Sequence, residues 1–297
     1  MLLRHDGAMF DALTAWPALA AARAHDPATR VPFLVDGRPV GSLARPHLDA
    51  LAAHGELLQF SAAGVALSVA AARRDGALAQ LNAALRAAGL ILAWRDEPFA
   101  LLAHPDAPPL ATMERAAARF WGTVTLGAHC NGYVADAAGR PTHLWIARRS
   151  LTKATDPGLY DNLIGGGVAA GQTPLQALVR EGWEEAGLTP AQMAGVRPGR
   201  VIRLLRDIPE GLQHEWLHVF DLELPAGLTP SNQDGEVAEL ALMPVEQALT
   251  LAASERMTVD ASLVTLDFAL RHRLLGDADG RHECLQSAFE PLCVAPG

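Results

Sequence analysis

The sequence predicts an α+β chain in two parts, a smaller α+β domain over residues 1–122 and a larger domain over 123–297 in which helices flank a mixed sheet. Three observations carry this. At 297 residues the chain is about twice a typical domain of about 150 residues. The most proline-dense stretch, AHPDAPPLAT from Ala103 to Thr112, falls between two regions of different patterning. Beyond it, the strand-like runs HLWIARR, VIRLLRD, HVFDLELP and ELALMP alternate with helical periodicity near 174–186, 245–254 and 258–275.

Taken in order, residues 8–24 read as an alanine-rich helix. FLVDGRPVGSL (Phe33 to Leu43) reads as a hairpin, because alternating apolar residues flank an Asp36-Gly37 turn. LDALAAHGELL and DGALAQLNAALRAAGL have helical periodicity, and GVALSVA between them alternates like a strand. A helix through MERAAARF and the strand-like GTVTLGAHCNGYV lead across the boundary near residue 122. There is no internal repeat and no low-complexity tract.

Composition narrows the function classes. The net charge of -9 does not concentrate phosphate backbones or anionic lipid, so neither nucleic acid nor membrane is an expected partner. Half the residues are hydrophobic and only 5% aromatic, so the core is built largely from Ala, Leu and Val. Cys130, Cys284 and Cys293 cannot all pair within one chain and lack metal-ligand spacing, which points to a reducing cytoplasm. Asp6, Asp11 and Pro17 spoil a secretory or membrane segment at the N-terminus, and no later run reaches the roughly 18 apolar residues of a span.

The chemistry concentrates between Gly165 and Leu188, GGGVAAGQTPLQALVREGWEEAGL. Thr173 suits a helix N-cap, Pro174 its first position, and Gln176 completes a capping box, with Gly187 as the stop. On this helix Leu175, Leu178, Val179, Gly182 and Ala186 form one stripe, leaving Arg180, Glu181, Glu184 and Glu185 on the other. Three carboxylates on one face repel, and a divalent cation relieves that repulsion. Oxygen-only ligands indicate Mg2+ or Mn2+, and the glycines at 165–167 and 171 let backbone approach a metal or phosphate.

The spacing resembles the Nudix hydrolase signature: glycine, five residues, glutamate, seven residues, then Arg-Glu-apolar-any-Glu-Glu-any-Gly-apolar. Gly166, position 172 and Arg180 to Leu188 match it with two departures, Gln172 for glutamate and Gly182 for an aliphatic residue. The resemblance implies a Nudix α/β/α sandwich. It also implies Mg2+ (or Mn2+) held by Glu181, Glu184 and Glu185 with Gly165 beside them, Arg180 in support, and a general base outside the box, for which Glu236 or Glu239 is the nearest match. Gln172 retains the ability to hydrogen-bond Arg180 without bringing charge. Arg148, Arg149 and Lys153 form the basic cluster next to the glycine loop and are candidates to clamp a diphosphate.

The segments GAHCNGYV, LWIARRSLTKATDPGLYDNLIGGG, NQDGEVAELALMP and DFALRH, with upstream FLVDGRPVG, WRDEPFALL and MERAAARFWG, resemble the thiamine pyrophosphokinase-related Nudix branch. That resemblance implies oxy- and oxothiamine diphosphates as substrates, cleaved to monophosphate and phosphate. Selectivity for the oxidised forms over intact thiamine diphosphate is expected, from a site that donates a hydrogen bond to the oxy carbonyl and offers no carboxylate to the cationic thiazolium. The N-terminal domain is expected to shape the recognition pocket or a homodimer surface.

Two rivals remain. A Nudix fold kept for ligand binding without catalysis is one, and a Nudix hydrolase of another nucleoside diphosphate, such as ADP-ribose, varies the substrate. HEWLH, from His214 to His218, fits the HExxH pattern of zinc peptidases. Its setting between Pro209-Glu210-Gly211 and an alternating run predicts a strand, where residues four apart lie about 13 Å from each other and cannot chelate one zinc.

Overall fold

The computed structural model describes residues 3–5, 8–276 and 280–294. β1 (Leu3–His5) and β2 (Ala8–Phe10) pair antiparallel. The helix expected over 8–24 is two short ones, α1 (Ala12–Ala15) and α2 (Ala18–Ala21). Asp11 starts the first by accepting from the Leu13 N–H, and Pro17, with no N–H to give, separates them. Trp16, Leu19 and Ala22 are buried against the C-terminal helices, and Trp16 Nε1 donates to Ser262 Oγ at 2.9 Å.

β3 (Arg30–Val35) and β4 (Arg38–Ala44) form the expected hairpin. Asp36 and Gly37 have φ of 51° and 71°, the paired positive values of a tight turn matched to strand twist. Then follow α3 (Leu48–Ala52), β5 (Leu58–Ser61), β6 (Gly64–Leu67), α4 (Arg74–Ala87), β7 (Pro98–Leu101), β8 (Ala111–Glu114) and α5 (Arg115–Trp121). α5 begins two residues later than the MERAAARF pattern suggests, because Glu114 caps it from the end of β8. The sheet order is β4-β3-β6-β5, with β7-β8 as a separate pair. Phe33, Leu78, Leu81, Phe120 and Trp121 centre this core, with the Phe33 and Trp121 rings 4.5 Å apart.

The second sheet contains β9 (Val124–Ala135), β10 (Pro141–Arg149), β11 (Tyr160–Asn162), β12 (Ile164–Gly167), β13 (Arg197–Ile208), β14 (Gly211–Glu223) and β15 (Val237–Pro244). β14 runs parallel to β9 and the other pairings are antiparallel, so the sheet is mixed. β9 and β10 pair at one end and part at the other. The segment 160–167 enters the gap, β11 pairing with β10 and β12 with β9. α6 (Pro174–Ala186) packs on one face with Ala128, Cys130, Ile164 and Leu222. α7 (Val245–Ala252), α8 (Val259–Arg271) and α9 (Arg281–Phe289), together with α1 and α2, cover the other. This is the expected α/β/α sandwich.

His214 and His218 both lie on β14, as the strand reading of HEWLH requires. Among the described residues no helix is long and apolar enough to cross a membrane.

Candidate active site

α6 is fixed at both ends by its own sequence. Thr173 and Gln176 form the capping box, Pro174 opens the helix, and Gly187 closes it with φ of 65°. Its buried side keeps Leu178, Gly182 and Ala186 of the expected stripe, loses Leu175 and takes in two of the glutamates. Ala177, Leu178, Glu181, Gly182, Glu185 and Ala186 are buried, whereas Leu175 and Trp183 are exposed. Residues 177, 181 and 185 follow one another at i+4 along the line that lies over β12, which carries two carboxylates inward with the apolar residues.

The glycines of β12 make room for these carboxylates. A Cβ on Gly166 would stand 2.1 Å from Glu181 Oε1, and the Gly165 N–H donates to Glu185 Oε2 at 2.8 Å. Gly182 answers a different need, since a Cβ there would meet Met193 Sδ at 2.3 Å. Arg180 donates to Glu184 Oε2 at 2.8 Å and Glu181 Oε1 at 2.9 Å. Lys153 Nζ lies 3.8 Å from Glu185 Oε1 and binds Glu236, which also accepts from Arg95 at 3.1 Å.

Burial pushes the Glu185 carboxyl well above its ordinary pKa, with Glu181 adding to the rise and Lys153 opposing it. Burial also raises Glu181, against the opposing charge of Arg180. Burial works on Glu236 in the same direction, but Lys153 and Arg95 outweigh it and hold that carboxyl below the ordinary range.

The remaining expected residues divide. Arg149 lines the cleft and is paired with Asp161 at 2.9 Å; Lys153 and Glu236 line it as well. Arg148 is exposed on the other side of β10, near the Tyr160 ring, and Glu239 is exposed on β15 opposite it. Neither borders the cleft. Gln172 does not bond Arg180 as expected: the guanidinium is taken by Glu181, Glu184 and the Gly167 carbonyl, and Gln172 Oε1 is buried without a partner.

Several cleft residues carried no signal in the motif. Arg95, Glu97, Arg115 and Arg119 come from the N-terminal segment, and Arg115 donates to Glu97 at 2.8 Å. The adjoining cavity is bordered by His129, Asp161, Glu215 and Asp260. Gln213 Nε2 donates to Glu215 at 2.9 Å and Asp260 at 3.1 Å, and burial beside Glu215 pushes Asp260 up to about 6. Glu215 and Asp260 thus border the cavity next to the cleft, two carboxylates that no sequence motif signals. The one legible hint was Arg115 and Arg119 at i,i+4 on a short helix leading into the sheet.

The donors suit a hard divalent cation. Glu181, Glu184 and Glu185 offer only oxygen, two of them buried and raised by that burial, beside glycine backbone with no side chain in the way. Among the described residues no three His, Cys, Asp or Glu side chains surround one point, because these carboxylates are turned to Arg180, Lys153 and the Gly165 N–H.

Comparison with known proteins fits this geometry. The NUDIX domain model matches residues 129–262, and the Domain of unknown function (DUF4743) matches 14–125. Nudix hydrolase 24, chloroplastic, of Arabidopsis thaliana is 32% identical over 82% of this chain and 68% of its own length. Nudix hydrolase 20, chloroplastic, of the same plant is 34% identical with the same coverage. The chain belongs to the Nudix hydrolase family. An uncharacterized protein of Saccharomyces cerevisiae is 29% identical over 60% of the chain and 55% of its own length. As a Nudix hydrolase the protein acts on a diphosphate bond of a small molecule, chemistry for which the family typically uses a divalent metal such as Mg2+.

Proposed function

We propose that this Nudix hydrolase is a Mg2+-dependent pyrophosphohydrolase of thiamine-diphosphate-like compounds, the oxy and oxo forms included, releasing monophosphate and phosphate. The observation that carries the reading is the glutamate face of α6, pressed on a glycine strand and open to a cleft bordered by six cationic side chains, Arg95, Arg115, Arg119, Arg149, Lys153 and Arg180. Mg2+ held by Glu181, Glu184 and Glu185 beside Gly165 would neutralise charge on the diphosphate oxygens and lower the pKa of an attacking water. Arg180 orients Glu181 and Glu184, and Arg149 and Lys153 face the diphosphate. Glu236, kept ionised by Lys153 and Arg95, accepts the proton of the water.

The thiamine-like substrate rests on the resemblance of segments in both parts of the chain, FLVDGRPVG and WRDEPFALL upstream and LWIARRSLTKATDPGLYDNLIGGG downstream, to the thiamine pyrophosphokinase-related branch. Residues 1–122 then act in recognition, and we place the protein in the cytoplasm on its cysteine usage. Glu215 and Asp260 give a cationic thiazolium a partner in the adjoining cavity, so discrimination between oxidised and intact forms should be small, within about tenfold. The test is kcat/KM for oxothiamine, oxythiamine and thiamine diphosphates and ADP-ribose under saturating Mg2+. The thiamine group should lead; ADP-ribose as clearly the best of the four would overturn the substrate assignment.

A further inference from the structure

The cations bordering the cleft are paired with one exception. Arg95 is held by Glu236 at 3.1 Å, Arg115 by Glu97 at 2.8 Å and Arg149 by Asp161 at 2.9 Å. Lys153 binds Glu236, and Arg180 binds Glu181 and Glu184. Arg119 lines the cleft, the cavity adjoining it and a third bordered by Pro17, Met257 and Asp260, yet its guanidinium has no hydrogen bond or ion pair with any described residue. Glu210 borders the same space and makes no ion pair with it.

Exposed arginines such as Arg38 and Arg73 need no partner, because water solvates them fully. Arg119 differs in being half-buried and held in place. The next two residues of α5, Phe120 and Trp121, are 1% and 0% exposed in the N-terminal core. On its other side, the Arg119 carbonyl lies so close to Gly211 that a Cβ there would stand 2.2 Å from it. α5 is thus clamped between the N-terminal core and the start of β14. Arg115, one turn earlier, faces the same cleft, and its charge reaches both Glu181 and Glu215.

A half-buried guanidinium without an anion, in a cleft where every other cation has one, is a site for an anion that arrives with the ligand. Resting on the diphosphate-hydrolase reading, we propose that Arg119 anchors a phosphate group of the substrate, so that the N-terminal domain supplies one wall of the active site. The box glutamates face that wall across the cleft, and the diphosphate lies between.

The experiment uses the full chain and methylenediphosphonate, a non-hydrolysable diphosphate, titrated calorimetrically with Mg2+ present. Arg119→Gln and Arg119→Met, both good helix formers of similar length, should bind it about tenfold or more weakly than wild type. Their affinity should also fall less steeply with added salt. Arg38→Gln, on the distant hairpin, should bind as wild type does, and thermal melting checks that each variant is folded. A folded Arg119 variant that binds within twofold of wild type, with the same salt dependence, overturns the assignment to Arg119 alone. A wild-type protein that binds no diphosphonate overturns the diphosphate reading and this proposal together.

Discussion

Replacing Gly166 by alanine puts a methyl group where the Glu181 carboxylate rests. The new Cβ would stand 2.1 Å from Oε1, 2.2 Å from Cδ and 2.5 Å from Cγ of Glu181, and no other residue is among its three nearest atoms. Ordinary non-bonded carbon contacts begin near about 3.5 Å, so the carboxylate must retreat by about 1 Å or more. Gly166 does not have a positive φ, so the backbone accepts alanine and the strain falls on one side chain. The cost to stability is the weakened bond from Arg180, now 2.9 Å, or about 1 kcal/mol. The cost to activity is larger, because a displacement of about 1 Å in a positioned group reduces rate by about a hundredfold. Mg2+-dependent phosphate release from oxythiamine diphosphate and a thermal melt, measured on the same preparation, separate the two. Gly166→Ala with turnover within a few-fold of wild type would show that the position of Glu181 against β12 does not matter to the chemistry.

Other expectations follow from the same structure. Gln172→Glu should leave the Mg2+ concentration for half-maximal rate within about threefold of wild type, since residue 172 neither borders the cleft nor bonds Arg180; a tenfold tightening would show that its charge reaches the metal. Trp16→Ala should destabilise the fold by about 3–5 kcal/mol in urea denaturation, because Trp16 is 3% exposed and packs in the core of the second part; a loss below about 1 kcal/mol would contradict that packing. Burial depresses His214 to about 4, so its neutral form contributes stability that is complete above about pH 6.5 and is lost as pH falls towards 4. Asp260, raised by burial to about 6, acts in the opposite sense, favouring the fold as pH falls from 6 towards 4 and costing stability above 6. Relative to wild type, His214→Gln should therefore gain about 2 kcal/mol between about pH 7.5 and 4.5, and Asp260→Asn should shift in the opposite direction; no swing in either variant refutes the burial argument.

The parts legible in the sequence are those decided locally. The capping box and Gly187 bound α6, and Asp36-Gly37 sets the β3–β4 turn, because each signal acts within four residues. Over residues 8–24 the alanine content favours one helix, but Asp11 starts it late and Pro17 divides it. Arg149 lines the cleft and Arg148 does not, and the β10–β15 register shifts between the two, an irregularity that no local pattern signals. Glu236 and Glu239 part because one precedes β15 and the other lies exposed within it. The inward turn of Glu181 and Glu185 opposes the hydrophobic pattern and follows only from the glycines of the neighbouring strand. Arg95, Arg115, Arg119, Glu215 and Asp260 meet in the cleft through tertiary packing between distant segments, for which no spacing rule exists.

The central claim is that the glutamate face of α6 performs diphosphate hydrolysis, and Glu185→Gln tests it most directly. Glu185 is 5% exposed and accepts from the Gly165 N–H, a bond that glutamine can also accept, so the fold should hold while the charge is lost. Phosphate release from oxythiamine diphosphate across a Mg2+ titration should show kcat lower by about a hundredfold or more, with an unchanged melting temperature. Turnover by Glu185→Gln within a few-fold of wild type at saturating Mg2+ would contradict the account.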